Sequence, residues 1–181
     1  MRHIALLTTG GTIEKVYDEA AGALVNKGSI VERMVRRLRL EDTRITIGEV
    51  MCKDSLLITD DERLLIVKAV RDAMASSPAP TGIVVLHGTD TLCVTGDLLH
   101  EVLAPPSEPP GVSGSTLACP VVLTGAMRPF EMKQSDALQN LTEAIFATSL
   151  LPPGVYVAAH GRSLRFPGVV KDRVRGAFVR G

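Results

Sequence analysis

Apolar positions along this chain switch repeatedly between strand-like runs and helical spacing, and the switches predict an alternation of strands and helices. Residues 4–7 (Ile4, Ala5, Leu6, Leu7) form an apolar run that turns polar at Thr8. The polar, glycine-bearing stretch 14–28 reads as a long mobile loop. Ser29 stands three residues before Glu32, the spacing of a capping box. Val31, Met34, Val35 and Leu38 follow at helical spacing, with Arg33, Arg36, Arg37 and Arg39 on the other, solvated faces. Ile45, Ile47 and Val50 predict a second strand over 44–50. Thr59 and Glu62 repeat the capping-box spacing before a helix whose apolar stripe is Ile66, Val70, Ala73 and Met74. A third strand covers 82–86, and a helix starting near Asp90 carries Leu92, Leu99 and Leu103. Residues 104–119, with two Pro-Pro pairs, glycine and serine, read as an extended surface connection. A fourth strand is expected at 120–123, a helix through Leu138, Leu141 and Ile145, and a fifth strand at 155–159. Strands joined by helical crossovers imply an α/β fold: a doubly wound, mostly parallel sheet with helices on both faces.

Length and composition narrow this further. A chain of 181 residues with 45% apolar content suits one well-filled domain, and two would be cramped, so residues 1–181 are expected to form a single domain. Twenty basic residues balance twenty acidic ones, for a formal net charge of +0. A protein that neutralises phosphates carries a basic surplus, so nucleic acid is not an expected partner. Near-zero charge does little to keep copies apart, which favours a homodimer or larger homo-oligomer. Cys52, Cys93 and Cys119 are an odd number without metal-like spacing, and read as free thiols of a reducing compartment. The first apolar run is too short for a secretory segment or a membrane span, which makes the cytoplasm the expected location.

Chemistry concentrates in two runs that directly follow strands. Thr-Thr-Gly-Gly-Thr-Ile at 8–13 ends the first strand, and His-Gly-Thr-Asp-Thr at 87–91 ends the third. In a parallel α/β sheet the residues just past the strand ends line the ligand crevice. Threonine hydroxyls, glycines that admit a substrate close to the backbone, and one carboxylate suit hydrolysis through a hydroxyl nucleophile. A threonine needs an activating partner near neutral pH. For Thr12 the candidates are Tyr17, five residues on, and the carboxylates Glu14, Asp18 and Glu19. For Thr89 they are the adjacent Asp90 and Lys171, which follows the fifth strand and the turn His160-Gly161-Arg162. His87 and His160 read as structural hydrogen-bonding groups.

Thr9-Gly10-Gly11-Thr12-Ile13, His87-Gly88-Thr89-Asp90-Thr91 and Thr124-Gly125-Ala126-Met127-Arg128-Pro129 resemble, in the same order, the signature segments of bacterial-type L-asparaginases. The resemblance spans nearly the whole chain. It implies a flavodoxin-like sheet and hydrolysis of L-asparagine to L-aspartate and ammonia, with neither a metal nor an organic cofactor. Thr12 matches the family's first threonine, its nucleophile. Thr89 and Asp90 match the second threonine and the aspartate, and Lys171 matches the lysine that completes a Thr89–Lys171–Asp90 triad. The segment from Cys52 to Ser55 falls where the family binds the substrate carboxylate, so Cys52, Asp54 and Ser55 join Gly11 and Gly88 as substrate-binding candidates. Tyr17 is matched to the loop tyrosine, although in longer members that residue lies further from the threonine.

Family members are usually longer, and a second domain from a neighbouring subunit closes the site. This chain resembles the short, single-domain form, so a second domain is not expected, and amino-group recognition falls to this chain or to a partner copy. Two other functions fit the motifs. One is the amidase component of a tRNA-dependent amidotransferase. The other is a catalytically inactive module that senses asparagine, although a sensor has no need of a proton relay.

Overall fold

The apolar runs become the strands of one six-stranded sheet in the computed structural model, which describes residues 1–103 and 117–181. In chain order the elements are β1 (Arg2–Gly10), β2 (Val16–Asp18), β3 (Ala23–Val25), α1 (Val31–Val35), β4 (Thr43–Lys53), α2 (Asp60–Met74), β5 (Gly82–Leu86), α3 (Leu92–Leu103), β6 (Pro120–Thr124), α4 (Ala137–Ala147), β7 (Gly154–Ala159), β8 (Arg162–Arg165), β9 (Val169–Asp172) and β10 (Ala177–Arg180). The sheet runs β4-β1-β5-β6-β7-β8, parallel throughout except for β8, which pairs antiparallel with β7.

Side chains alternate between the two faces of the central strands, and each face carries its own core. Ile83, Val85, Val121 and Leu123 pack under α2 and α3 against Ile66, Val70, Leu92 and Leu99. Leu6, Val84, Leu86 and Val122 face α1 and α4, against Met34, Leu141 and Ile145. Burial on both faces is why 83–86 reads as an unbroken apolar run. The crossover after β1 passes through α1 and the one after β4 through α2, on opposite faces. The carboxyl ends of β1 and β5 therefore flank the point where the winding reverses, the place such sheets reserve for a ligand.

Four expectations change. First, 14–28 is not an irregular loop: β2 and β3 form a hairpin with Val16 opposite Val25 and Tyr17 opposite Leu24, closed by Asp18 accepting the N–H groups of Ala20 and Ala21. Strands of three residues are too short for an alternating pattern to register. Second, Ser29 does not open a capping box. Ile30 is the N-cap of α1, which ends at Val35, and the Ser29 hydroxyl is turned to Glu14 while its oxygen accepts the Val31 N–H at 3.3 Å. At Thr59 and Glu62 the box does form, with 3.3 Å and 3.0 Å bonds in the two directions. Third, the second strand reaches from Thr43 to Lys53, longer at both ends than its apolar core.

Fourth, the strands do not end at Ala159. After β8 the chain forms the antiparallel pair β9–β10, whose Val169 and Phe178 join the core on the α3 side. Phe166 fits there because α3 has Gly96: a Cβ at that position would lie 2.1 Å from the Phe166 ring. This packing carries β9 to the start of α3. The surface connection read at 104–119 lies, for 104–116, outside the described residues. Among the described residues no helix is long and apolar enough to cross a membrane.

Candidate active site

Two glycine turns meet at the reversal point. Gly10 and Gly11 have φ of 91° and 77°, a conformation that disfavours a Cβ. A Cβ on Gly11 would lie 2.4 Å from both Cα and N of Gly88, so the turns after β1 and β5 touch through bare backbone. Gly88 in turn abuts the side chain of Ser55, whose Oγ would lie 2.5 Å from a Cβ there. Ser55 is buried and opens a short 3-10 turn, Ser55–Leu57, after β4. The segments after β1, β4 and β5 thus meet in direct contact. Thr12 opens a second 3-10 turn, Thr12–Glu14, and is half-buried at the rim. Among the described residues no hydrogen bond occupies its hydroxyl.

Thr89 is buried beside this junction, and Lys171 reaches it from β9. The Lys171 Nζ lies 2.7 Å from Thr89 Oγ1 and 3.0 Å from Asp90 Oδ1. A hydroxyl, an amine and a carboxylate in hydrogen-bond contact form a relay that can move a proton to or from whatever sits at the turn. The Arg173 guanidinium donates to the same Asp90 oxygen at 3.0 Å. Sequence reading missed Arg173. It lies just past the end of β9, in the turn that leads to β10, and no local pattern in the sequence marks it. The half-buried Cys93 thiol nearby is pushed up to about 11, by burial first and then by Asp97, so it stays protonated beside the lysine.

The remaining candidates take different places. Both Asp54 oxygens are engaged: Oδ2 by Lys15 at 2.7 Å and Oδ1 by the Leu56 N–H at 3.1 Å. These contacts, Lys15 first, hold its carboxyl below the usual range and make it the cap of the Ser55 turn. Cys52 is half-buried on β4, its thiol pushed up by burial. Tyr17 is 59% exposed on β2, and its phenol makes no hydrogen bond among the described residues. The hairpin bearing it is held at the crevice by backbone and side-chain ties: Tyr17 N–H to Glu131 at 3.2 Å, Asn26 Nδ2 to the Gly11 carbonyl at 2.9 Å, and the Lys15–Asp54 pair. A cleft of about 350 Å³ opens between this hairpin and the end of β4, lined by Lys15, Asn26, Cys52, Lys53 and Asp54 among others. Glu14, one of the carboxylates considered for Thr12, is fully buried; Asp18 closes the hairpin turn.

The third signature segment braces the other two. A Cβ on Gly125 would lie 2.2 Å from the His87 carbonyl oxygen, so the turn after β6 supports the turn after β5. Asp136 accepts the N–H groups of Met127 and Arg128 and pairs with His160 Nε2 at 2.7 Å. Burial pushes this carboxyl upward, but those donors outweigh it and hold it below its usual value. The buried His87 ring bridges the Gly88 carbonyl through Nδ1 and Thr95 Oγ1 through Nε2, both at 2.9 Å. A carbonyl only accepts, so Nδ1 carries the proton and Nε2 accepts the threonine hydroxyl. Both histidines are thus hydrogen-bonding braces.

Residues 3–176 match the family model of the asparaginase N-terminal domain. The L-asparaginase of Thermococcus kodakarensis is 31% identical over 155 residues, which is 86% of this chain and 43% of that protein. A solved structure of the thermostable L-asparaginase from that organism superposes with a TM-score of 0.80 at 30% identity, covering 98% of this chain and 51% of that one. A glutamyl-tRNA(Gln) amidotransferase subunit of Methanococcus maripaludis is 28% identical over 166 residues, 90% of this chain and 36% of that protein. The chain therefore spans about half the length, or less, of these relatives. With three glycine turns packed at one sheet edge and the family match running almost from end to end, this chain belongs to the asparaginase family.

Proposed function

We propose that this chain hydrolyses the side-chain amide of L-asparagine to L-aspartate and ammonia through a threonine acyl-enzyme. The observation that carries the reading is the contact of Lys171 Nζ with Thr89 Oγ1 and Asp90 Oδ1, 2.7 Å and 3.0 Å, beside the junction of the Gly11 and Gly88 turns. Thr12 is the attacking hydroxyl in this reading, being at the rim and without a hydrogen-bond partner among the described residues, while Thr89 is buried under Lys171. Its oxygen bonds to the amide carbon, and backbone N–H groups of the two turns other than those of Gly10 and Gly11, which are already bonded, hold the developing oxyanion. The Thr12 proton passes into the relay and then to the departing nitrogen, which leaves as ammonia. Water, deprotonated through Thr89 and Lys171, cleaves the ester and restores the Thr12 hydroxyl. Asp90 is the carboxylate available to the substrate ammonium, and the Ser55 turn faces the substrate carboxylate.

A second reading, the amidase component of a tRNA-dependent amidotransferase, is favoured by the amidotransferase relative at 28% identity. The balanced charge of the chain, 20 basic and 20 acidic residues, supplies no surplus for an RNA surface. Steady ammonia release from asparagine by the purified chain alone is the expected result. No release without an added partner would overturn the first reading in favour of the second.

A further inference from the structure

Glu14 is a buried carboxylate that the proposed chemistry does not use. It ends the 3-10 turn begun by Thr12, and its side chain is fully enclosed. One oxygen, Oε2, accepts the Gly10 N–H at 3.0 Å, and the other accepts the Ser29 hydroxyl. Ser29 itself accepts the Val31 N–H, so a chain of hydrogen bonds runs from the start of α1 through Ser29 and Glu14 to the backbone before Thr12. Three residues before Ser29, Asn26 donates to the Gly11 carbonyl at 2.9 Å. The stretch where the hairpin rejoins the body is therefore stitched to the glycine turn at two points.

The turn itself has little room to adjust. Gly10 and Gly11 are at positive φ, and Gly11 donates to the Lys53 carbonyl at 2.7 Å. We propose that Glu14 is a positioning residue for Thr12: its carboxylate locks the Gly10–Thr12 turn to the segment after the hairpin, so that the nucleophile and the hairpin are ordered together. This rests on the reading of Thr12 as nucleophile.

Ionisation decides how well the lock fits. The groups around the carboxylate are donors: the Gly10 and Ile30 N–H groups and the Ser29 hydroxyl. The charged side chain facing it is Glu49 on β4, a like charge, and the Cys52 thiol of that strand feels Glu14 in return. Burial pushes Glu14 up to about 7. Ionised, it accepts from every donor around it. Protonated, it must itself donate, and the Ser29 hydroxyl has to reverse. A glutamine there imitates the protonated form.

The test compares wild type with Glu14→Gln and Ser29→Ala, the second leaving the carboxylate in place. For wild type, kcat on asparagine is expected to rise at least about threefold between about pH 6 and about pH 8, with a midpoint near that of Glu14. For Glu14→Gln, kcat is expected to be flat through this window at the lower level, at least about threefold below wild type at the upper end, with KM within about twofold. Native-state hydrogen exchange is expected to speed up together at 10–12 and 26–31 in both variants. A wild-type kcat and pH profile in Glu14→Gln, or loss of protection in one segment alone, would overturn the proposal. If wild-type protein releases no ammonia, the assigned activity fails, and the exchange comparison by itself decides whether Glu14 couples the two segments.

Discussion

His87 offers a direct check on the buried network behind the site. Its ring is fully enclosed between the Gly88 carbonyl and Thr95 Oγ1, and among the described residues no carboxylate bonds it. Burial first, with the Arg63 charge adding to it, pushes its pKa from 6.5 down to about 4. The folded state therefore binds fewer protons than the unfolded chain across that window. Stability contributed by neutral His87 is present above about 6.5 and lost as the pH falls to about 4. At 1.36 kcal/mol per pH unit the loss is about 3 kcal/mol. Glu14 acts in the opposite sense: raised from 4.5 to about 7, it contributes stability below the lower value that disappears as pH rises through the upper one. Its contribution is also about 3 kcal/mol, so the two nearly offset each other over their shared window. A substitution at His87 exposes one without the other. His87→Gln is expected to destabilise by about 1–3 kcal/mol at neutral pH, through imperfect replacement of two buried hydrogen bonds. The difference is expected to move by about 3 kcal/mol in the variant's favour near pH 4, removing or reversing the penalty, because the variant has no imidazole to charge. Urea unfolding of both proteins at a series of pH values reads the difference directly, since Glu14 is common to both. A penalty that stays the same at every pH would refute the argument.

Four further outcomes follow from the geometry. Thr12→Ala, Thr89→Ala and Lys171→Met are each expected to lower asparagine turnover by at least about 100-fold while circular dichroism remains native; near-normal ammonia release from any one of them removes that group from the mechanism. Gly11→Ala forces a Cβ to 2.4 Å from Gly88 backbone at φ 77° and ψ −177°, a conformation essentially confined to glycine, and is expected to cost at least about 2 kcal/mol in urea unfolding. Tyr17→Phe is expected to change stability by less than about 0.5 kcal/mol, because the ring is largely exposed, yet to reduce kcat; unchanged turnover would exclude the phenol from proton handling. Light scattering is expected to report a homodimer or larger, and a fully active monomer would mean that the hairpin covers the crevice unaided.

Much of the fold was legible because the signals are local. Residues 82–86 and 155–159 are apolar runs of strand length, the Thr59–Glu62 box starts α2 where its spacing says, and the glycine turns sit directly behind strands. The hairpin at 16–25 was not legible: three-residue strands carry almost no periodicity, and they exist because Asn26, Lys15 and Glu131 tether them. Ser29 carried the right spacing for a cap, but the buried Glu14 carboxylate takes its hydroxyl instead.

By itself the sequence determined the parallel α/β plan and the two threonine turns, since hydrophobic period and glycine placement act over a few residues. Lys171 was a candidate partner for Thr89 from its place after the fifth strand and the turn at 160–162, and the family resemblance completed the triad with Asp90. Only the tertiary structure brings it within 2.7 Å of a residue 82 positions away, because Gly96 admits Phe166 and the β9–β10 pair folds back over α3. Tertiary packing likewise added Arg173 to Asp90, closed the backbone of Gly11 onto Gly88, and buried Glu14 among N–H and O–H donors with no cation bonded to it among the described residues. The environment of a charge is set by what the distant chain packs against it, and no local pattern encodes that.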